Sequence, residues 1–321
     1  MCWTLKRLTR NPKLAGQFIF KGGTSLSKAY RVIDRFSEDI DLIIARTAPE
    51  IRDVESPMES NIGRNERERR LDTLKKVAQK YVAETIMPAL EKETRAALGT
   101  TEGWSIDLDP EDADKQTLLF NYPRLANYGL GWSGGTWDGG AWGEGTIGYI
   151  KPRIKLEFGA RGETDPSEQK TITPYLAEDF PDDLRDALVS IPTLSVLRTF
   201  WEKATILHAL HHNGKLRAGM SRHYYDTLML GRRGFADQAL AQPDLLDRVV
   251  KNKSLMFADK SASYDTAALG SLCLIPTAKT LVNLKQDYSA MSEMFMAERP
   301  SFDELFSGLR DLEKRLNNKP G

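Results

Sequence analysis

The chain has 321 residues, of which 40% are hydrophobic and 28% are charged, values typical of a globular protein and unlike a disordered or fibrous one. Lys plus Arg and Asp plus Glu each number 45, so the net charge gives no reason to expect nucleic-acid binding, although a local basic groove is compatible with it. Two cysteines are too few for a disulfide framework or a zinc site built from cysteines. The sequence has no apolar run long enough for a membrane span, and its N-terminus lacks the apolar core of a signal peptide. These features favour a cytoplasmic protein.

The first predicted elements lead into a glycine-rich turn. Residues 1–20 predict a short helix followed by a strand, and because the chain opens inside the helical pattern we expect a preceding segment in related proteins. Residues 21–25, KGGTS, predict a turn, and residues 26–33 predict a helix. Residues 39–44, DIDLII, alternate and then become wholly apolar, which predicts a strand within a sheet.

The next region is charged and then amphipathic. Residues 50–70 are rich in charges, with NERERR at 65–70, and we interpret them as a solvated linker or helix start rather than a nucleic-acid arm. Apolar residues at helical spacing predict one long helix over residues 71–98.

Three further strands are predicted at residues 104–108, 117–122 and 147–158. The last two are separated by residues 128–145, a segment rich in glycine and tryptophan. This composition predicts a projecting loop. Its tryptophans suit stacking on a base, but a loop packed on itself at the surface is the favoured interpretation.

The pattern becomes mostly helical after residue 180. Apolar stripes at helical spacing predict helices over residues 194–210, 224–230, 245–250 and 302–316. The sequence therefore predicts an α/β domain over residues 1–175 and a helical domain over residues 176–321.

Residues 22–41 combine a glycine turn at the start of a helix with two aspartates in a strand. Glycines let the backbone approach a phosphate, and a helix N-terminus offers free N–H groups and the positive end of its dipole. Asp39 and Asp41 are two residues apart, so they lie on one face of the strand. Two adjacent carboxylates repel each other unless a cation lies between them, and Mg²⁺ prefers oxygen ligands and bridges phosphates. The segment therefore predicts phosphoryl-transfer chemistry on a nucleoside triphosphate.

The same segment supplies the candidate phosphate contacts. Thr24 and Ser25 are favoured because they begin the helix, whereas Ser37 either contacts the triphosphate or caps the turn. Arg35 is either a phosphate ligand or a surface arginine. The predicted nucleotide-binding residues are Gly22, Gly23, Thr24, Ser25, Ser37 and Lys203.

Residues 21–44, KGGTSLSKAYRVIDRFSEDIDLII, resemble motif I of the AbiEii/AbiGii toxin family, a bacterial branch of the nucleotidyltransferase superfamily. A weaker resemblance extends to about residue 235. It implies an α+β, polymerase-β-like nucleotidyltransferase fold, with a mixed sheet and flanking helices, followed by a mainly helical C-terminal domain. It also implies a toxin of a bacterial toxin–antitoxin or phage-defence system; some relatives transfer nucleotides to the 3′ end of tRNA.

Later motifs of the family centre on a helical lysine and a downstream aspartate. The positions of this sequence that resemble them are Lys203, in FWEKAT, and Asp226, in RHYYD, and the resemblance implies catalytic roles for both. We expect Lys203 to neutralise phosphate charge rather than extend to solvent, and Asp226 to act in the site rather than pair with Arg222 on the surface. Relatives often carry Arg-Asp-x-x-Asp, so His223 here replaces an acidic residue.

Two further features bear on metal binding. Enzymes of the superfamily commonly draw a third carboxylate from a neighbouring strand, which implies Glu157 as a metal ligand beside Asp39 and Asp41, with a cross-strand ion pair as the alternative. Arg161 follows closely and is a weaker candidate for a phosphate contact. Three histidines have helical spacing on one face, but no acidic or cysteine partner is obvious nearby, so polar cover at a helix end is favoured over zinc: His208, His211 and His212.

The sequence thus predicts a nucleotidyltransferase that uses Mg²⁺, with Mn²⁺ also suitable, and a nucleoside triphosphate. The expected acceptor is an RNA 3′ end, tRNA first, and the resemblance implies a cognate antitoxin as partner. Modification of a protein hydroxyl and a non-catalytic nucleotide-binding or nucleic-acid-binding module remain alternatives. A basic groove beside the aspartates would favour RNA, and paired metal carboxylates argue against a module without catalysis.

Overall fold

The computed structural model describes residues 1–37, 39–122, 153–184 and 187–318. The strands are β1 Phe18–Lys21, β2 Asp39–Ile44, β3 Ser105–Leu108, β4 Thr117–Asn121, β5 Ile154–Gly159, β6 Ser167–Ile172 and β7 Val189–Leu194. These seven described strands form one mixed sheet in the order β3-β4-β5-β2-β1-β7-β6. The protein is therefore α+β with a mixed sheet, as predicted.

Helices flank the sheet and make up most of the chain after it. They are α1 Cys2–Arg10, α2 Gly22–Lys28, α3 Arg64–Tyr81, α4 Met87–Leu98, α5 Leu176–Asp179, α6 Val196–Asn213, α7 Ser221–Arg232, α8 Phe235–Leu240, α9 Pro243–Met256, α10 Ala278–Ala290 and α11 Phe302–Asn317. A π-helical turn, Val82–Ile86, joins α3 to α4. None of the helices in the described ranges is long and apolar enough to cross a membrane.

The centre of the sheet positions the candidate site. Strand β2 runs parallel to β5 and antiparallel to β1, and β1 in turn runs parallel to β7. In this register Asp41 lies between Lys21 of β1 and Glu157 of β5. Because β7 comes from after residue 175, the first and second halves of the chain contribute neighbouring strands to one sheet.

The two faces of β2 are buried by different parts of the chain. Ile40 and Leu42 belong to a core that includes residues of α1, α3 and α4, such as Leu5, Leu74 and Leu90. The opposite face carries Asp39, Asp41 and Ile43, because side chains alternate along a strand. Ile43 clusters there with Ile19 and Leu194. A separate core includes Trp201 of α6, Tyr224 of α7 and Leu309 of α11.

The structure corrects several local predictions. Residues 22–25 are the first turn of α2 rather than a turn before it, and the helix ends at Lys28 instead of residue 33. Val32 and Ile33 leave the helix and enter the helical core. Helix α3 begins at Arg64, so the charged run supplies its first turns.

Strands β6 and β7 were not predicted. Strand β6 is mostly exposed and polar, so it lacks the apolar alternation by which a strand is recognised. The division into domains at residue 175 stays a prediction. The glycine- and tryptophan-rich loop 128–145 and the first part of the predicted strand 147–158 lie outside the described residues.

Candidate active site

A row of charged side chains crosses the middle of the sheet on the face that carries Asp39 and Asp41. Lys21, Asp41 and Glu157 are direct neighbours on β1, β2 and β5. Asp39 lies on the same face and pairs in register with Lys155. The structure therefore brings together the three carboxylates that the sequence analysis assigned to a metal.

These carboxylates are held close to one another at a cost in electrostatic energy. Burial and the charge of Glu157 raise the pKa of Asp39. Burial, then Glu157 and Asp39, raise the pKa of Asp41 to about 6, although Lys21 opposes the shift. Arg222 offers partial compensation, since its Nη1 lies 3.3 Å from Asp39 Oδ2. Three neighbouring carboxylates, of which the two aspartates have raised pKa values, are the donor set that suits a hard divalent cation such as Mg²⁺ or Mn²⁺.

The two glycines at the start of α2 make room for charged side chains. Gly22 has φ +77°, and a Cβ there would lie 1.9 Å from Asp41 Oδ2. A Cβ at Gly23 would lie 2.5 Å from Arg35 Nη2 and 2.9 Å from Ser37 Oγ. Both positions therefore require glycine because of the protein's own contacts, in addition to any approach by a phosphate.

Thr24 and Ser25 are buried at 0% exposure, and their hydroxyls bind the backbone. The Thr24 hydroxyl donates to the carbonyl oxygens of Ser37 and Asp39. The Ser25 hydroxyl donates to Gly22 O at 2.9 Å. Gly22, Gly23 and Ser37 line the cavity, whereas Thr24 and Ser25 do not. The hydroxyls of Thr24 and Ser25 thus stabilise the turn, and phosphate binding by these residues stays a prediction.

Asp226 lies at the centre of a second, buried group of charges. Its carboxylate accepts hydrogen bonds at 2.8 Å from both Nε and Nη2 of Arg35, and Lys203 Nζ lies 2.8 Å from Oδ2. The exposed fractions of the three side chains are 0%, 1% and 7% for Asp226, Arg35 and Lys203. Lys203 therefore does not extend to solvent, and Arg35 is not a surface arginine.

The charges of this buried group shift one another's pKa values. Burial alone would raise the pKa of Asp226, but Arg35 and Lys203 outweigh it and hold that pKa well below its usual value. Burial lowers the pKa of Lys203, and Asp226 opposes that shift. One carboxylate thus serves two cations, which leaves one positive charge of the group unneutralised beside the cavity.

His223 lies next to this group and stays neutral. Burial, followed by the charges of Lys203 and Arg222, holds its pKa well below the usual value. Its Nδ1 is buried and has no hydrogen-bond partner among the described residues. His223 itself lines the cavity, so this unpaired nitrogen lies close to the space that a ligand would occupy.

One open cavity joins the carboxylate row to the buried group. Its wall on α6 consists of Thr199, Glu202, Lys203 and Ile206, which share one face of that helix. The other lining residues are Lys21, Gly22, Gly23, Arg35, Ser37, Asp39, Asp41, Arg222, His223 and Lys253. Five of the lining side chains are cationic and three are carboxylates, which makes the cavity suitable for an anionic ligand.

Sequence reasoning missed Lys21, Glu202 and Lys253. Within the described residues, the ammonium groups of Lys21 and Lys253 make no ion pair or hydrogen bond, and Lys253 Nζ lies 5.1 Å from the ring centroid of Phe257. Burial lowers the pKa of Lys253 to about 8, although Glu202 opposes the shift. Lys253 had no sequence signal, because it comes from α9, a helix far along the chain with an ordinary amphipathic pattern.

Glu157 and Arg161 occupy the edge of the site. Glu157 is 39% exposed and its Oε1 lies 2.8 Å from Lys155 Nζ, an ion pair within β5 and not the cross-strand pair that was the alternative to metal binding. A side chain this exposed remains able to turn toward Asp41. Arg161 pairs with Asp114 at 2.9 Å and lies over the Phe257 ring, and it does not line the cavity.

Comparison with known proteins identifies a family. The family model described as "Nucleotidyl transferase AbiEii toxin, Type IV TA system" matches residues 3–308. Among solved structures, MenT4, a nucleotidyltransferase toxin from Mycobacterium tuberculosis H37Rv, is similar at 16% identity with a TM-score of 0.41, over 98% of this chain and 89% of that chain. No curated protein sequence matches the chain significantly.

Proposed function

The chain belongs to the AbiEii family of nucleotidyltransferase toxins of type IV toxin–antitoxin systems, and we propose that it transfers a nucleoside monophosphate from a nucleoside triphosphate to the 3′ end of an RNA. We take tRNA as the first acceptor to test and Mg²⁺ as the metal, with Mn²⁺ as a substitute. The family description supports a cognate antitoxin as partner. The proposed compartment is the cytoplasm, where these substrates are present, and a role in phage defence fits such a toxin.

The observation that carries this proposal is the arrangement of charges around one cavity. Asp39 and Asp41 line the cavity together with cations of α6 and α7. Glu157 is the sheet neighbour of Asp41 just outside the lining. Carboxylates on one side suit a divalent cation, and cations on the other suit a triphosphate. Phosphoryl transfer requires this pairing, since the enzyme contributes mainly positioning and charge stabilisation.

The residues would divide the work as follows. Asp39, Asp41 and Glu157 would hold the metal, which supplies positive charge that makes the attacking hydroxyl more acidic and stabilises the leaving pyrophosphate. Lys203 and Arg35, both held by Asp226, would bind phosphate oxygens beside Gly22, Gly23 and Ser37. A hydroxyl oxygen of the acceptor then bonds to the α-phosphorus, the bond from that phosphorus to the pyrophosphate oxygen breaks, and the hydroxyl proton is released.

The charge of the cavity favours RNA over a protein acceptor. The cationic lining residues are Lys21, Arg35, Lys203, Arg222 and Lys253. With a metal neutralising the aspartates of β2, these five positive charges exceed the two carboxylates that remain, Glu202 in the lining and the buried Asp226. A nucleic-acid acceptor brings its own phosphates, whereas a protein hydroxyl does not.

The proposal is tested by transfer of label from each α-³²P nucleoside triphosphate, with Mg²⁺, to total bacterial RNA and protein. Wild type is compared with Asp41→Ala and with Asp247→Ala, an exposed aspartate on α9 that lies outside the site. We expect label on a tRNA-sized band with wild type and Asp247→Ala, and its loss with Asp41→Ala.

Other outcomes distinguish the alternatives. Label on protein that depends on Asp41 would replace the RNA proposal by nucleotidylation of a protein hydroxyl. Nucleotide binding without transfer to RNA or protein, under conditions where Mg²⁺ and acceptors are saturating, would refute catalysis and favour a binding module. Repetition with EDTA and then Mn²⁺ tests the metal separately from the acceptor.

A further inference from the structure

A second group of side chains with metal-ligand chemistry lies at the C-terminal half of α6, outside the active-site cavity. His208 and His212 are one turn apart on this helix, and their ring centroids are 4.6 Å apart. Cys273 reaches the same place from the segment between the 3-10 turn Tyr264–Thr266 and α10. The ligand atoms of the three residues all lie within 4.8 Å of one another. The histidine pair thus has the thiol partner that sequence spacing does not reveal.

The hydrogen bonds of His208 orient one of its nitrogens toward this group. Its Nε2 lies 3.0 Å from Ser263 O, a carbonyl that only accepts, so this nitrogen carries the proton. Its Nδ1 is therefore the unprotonated nitrogen, and its lone pair accepts a long hydrogen bond of 3.2 Å from the backbone N–H of Cys273, which a metal ion would displace. A histidine that donates one ring N–H to a backbone carbonyl and presents its other nitrogen is the usual form of a metal ligand.

Burial supports the same protonation state for His208. The residue is 0% exposed, and a ring removed from water favours its uncharged form. A neutral imidazole is the form that binds metal ions. The surroundings of His208 therefore favour the tautomer and charge state of a metal ligand, with the N–H of Cys273 now in the place of the ion.

The other two ligands are free to complete the site. The ring of the exposed His212 makes no hydrogen bond to any described residue. The thiol of Cys273 has one weak contact, to Ser271 O at 3.8 Å. Zn–N and Zn–S bonds of about 2.0 and 2.3 Å place tetrahedral ligand atoms about 3.5 Å apart, and the ligand atoms here already lie within 4.8 Å of one another.

The segment that carries Cys273 is held in place by α11. The backbone N–H of Leu272 donates to Asn317 Oδ1 at 2.9 Å, and the N–H of Leu274 donates to the carboxylate of Glu313. Leu272 and Leu274 are themselves buried in the helical core. Cys273 is thus presented from a fixed backbone, which favours binding because little order must be imposed on it.

We propose that His208, His212 and Cys273 form a binding site for a transition-metal ion, with Zn²⁺ as the expected ion. Imidazole and thiolate are the ligands that zinc prefers, and spacing of four residues on a helix is a common source of its histidine pairs. Three protein ligands leave the fourth tetrahedral position to water, on the side where His212 is exposed. The ion would join α6, which carries Lys203 nearer its N-terminus, to the segment held by α11.

The test uses Co²⁺ as an optical substitute for Zn²⁺ on the full-length protein after removal of metals with a chelator. We expect one equivalent of Co²⁺ to produce a thiolate-to-metal charge-transfer band and the visible bands of tetrahedral coordination, and Zn²⁺ to displace it. Cys273→Ser should abolish the charge-transfer band, and His212→Ala should weaken binding by about 10-fold to 100-fold or more. His212 is exposed, so its replacement does not threaten folding.

Two variants serve as matched controls. Cys2→Ser removes the other cysteine and should leave the spectrum unchanged. His211→Ala removes the neighbouring histidine, whose Nδ1 contacts Ile275 O instead of the group, and should bind Co²⁺ like wild type. A charge-transfer band that disappears in Cys2→Ser, persists in Cys273→Ser, or never forms in wild type would overturn the proposal. None of these readouts depends on nucleotide transfer.

Discussion

Asp41 and Asp226 are carboxylates of the same site, yet the protein surrounds them in opposite ways. Asp41 lies beside Asp39 and Glu157, and its pKa is raised to about 6 by burial and by those like charges. Asp226 is fully buried between Arg35 and Lys203, which hold its pKa below the usual value despite burial. The first group has an excess of negative charge, whereas in the second the carboxylate is fully paired and one positive charge is left over.

This difference separates ligand binding from structural support. A carboxylate whose charge is opposed by its surroundings gains most from a metal ion, so the row on β2 and β5 is poised for one. A carboxylate already paired with two cations has little to offer a metal, and it holds Arg35 and Lys203 in place instead. The two groups should therefore respond in opposite directions to loss of their charge.

The largest expected effect is on Asp226. Asp226→Asn leaves Arg35 and Lys203 buried without a counter-ion, and we expect it to lower the free energy of unfolding by about 3–5 kcal/mol. Urea denaturation followed by circular dichroism measures this loss. Asp247→Asn, an exposed substitution on α9, is the matched control and should change stability by less than about 0.5 kcal/mol. Equal stability of Asp226→Asn and wild type would contradict the distinction between the two groups.

The next effect concerns the close approach of Gly22 to Asp41. Gly22→Ala combines a positive φ with a Cβ directed at Asp41 Oδ2, and should lower the free energy of unfolding by about 2–4 kcal/mol. Gly99 has φ +69°, and a Cβ added there would meet nothing within 4 Å, so Gly99→Ala isolates the cost of the backbone at about 1 kcal/mol. Indistinguishable losses in thermal or urea unfolding would show that Asp41 moves aside without strain.

Asp41→Asn should raise the free energy of unfolding, whereas Asp226→Asn should lower it. The substitution removes a carboxylate held among like charges, and in the presence of EDTA we expect it to raise the free energy of unfolding by about 1–3 kcal/mol while transfer activity is lost. The folded-state pKa of about 6 exceeds the ordinary value of 3.8. Ionisation of the Asp41 carboxyl therefore lowers the stability of the folded state relative to the unfolded state.

The same substitution therefore has a defined pH dependence. The stability difference between Asp41→Asn and wild type should be near zero below pH 4, grow as the pH rises through about 6, and be constant above it. Urea unfolding at several pH values in EDTA measures this difference. A gain that is independent of pH, or a loss of stability at pH 7, would show that Asp41 is stabilised by its neighbours instead of opposed by them.

The smallest expected effect is that of replacing Lys253, whose ammonium makes no ion pair within the described residues. It tests whether Lys253 contributes to ligand binding. Lys253→Ala should lower kcat/KM for nucleotide transfer about tenfold, equivalent to about 1.4 kcal/mol, because the lining ammonium makes no ion pair with a described residue. Lys251→Ala, an exposed lysine on the same helix, is the control and should behave like wild type. Equal kinetics for the two variants would remove Lys253 from the site.

The two aspartates of the carboxylate row could be predicted because their signal is local. Alternation along β2 places Asp39 and Asp41 on one face. Glu157 was expected only from the family resemblance, because nothing local shows which strand lies beside β2. The helices that carry Lys203 and Asp226 were predictable from their apolar stripes, which need only the period of a helix.

The partners of the buried group could not be predicted, because they depend on contacts between distant parts of the chain. Arg35 and Asp226 are 191 positions apart, and nothing in the spacing of either residue points to the other. Thr24 and Ser25 were expected to contact phosphate because they begin a helix. In the folded chain their hydroxyls instead donate hydrogen bonds to backbone carbonyl oxygens, which their positions in the sequence did not indicate. Cys273 approaches His208 over 65 positions and escaped notice for the same reason.

The separation between Arg35 and Asp226 also has a consequence for synthesis of the protein. The ribosome releases Arg35, Asp39 and Asp41 early, but the counter-ion of Arg35 emerges only with α7, and Lys253 follows later still. A nascent chain or truncated product that ends before residue 226 therefore carries Asp39 and Asp41 without the carboxylate that pairs with Arg35 and Lys203. We expect such fragments to have no transfer activity, so that activity would arise only when most of the chain has been synthesised.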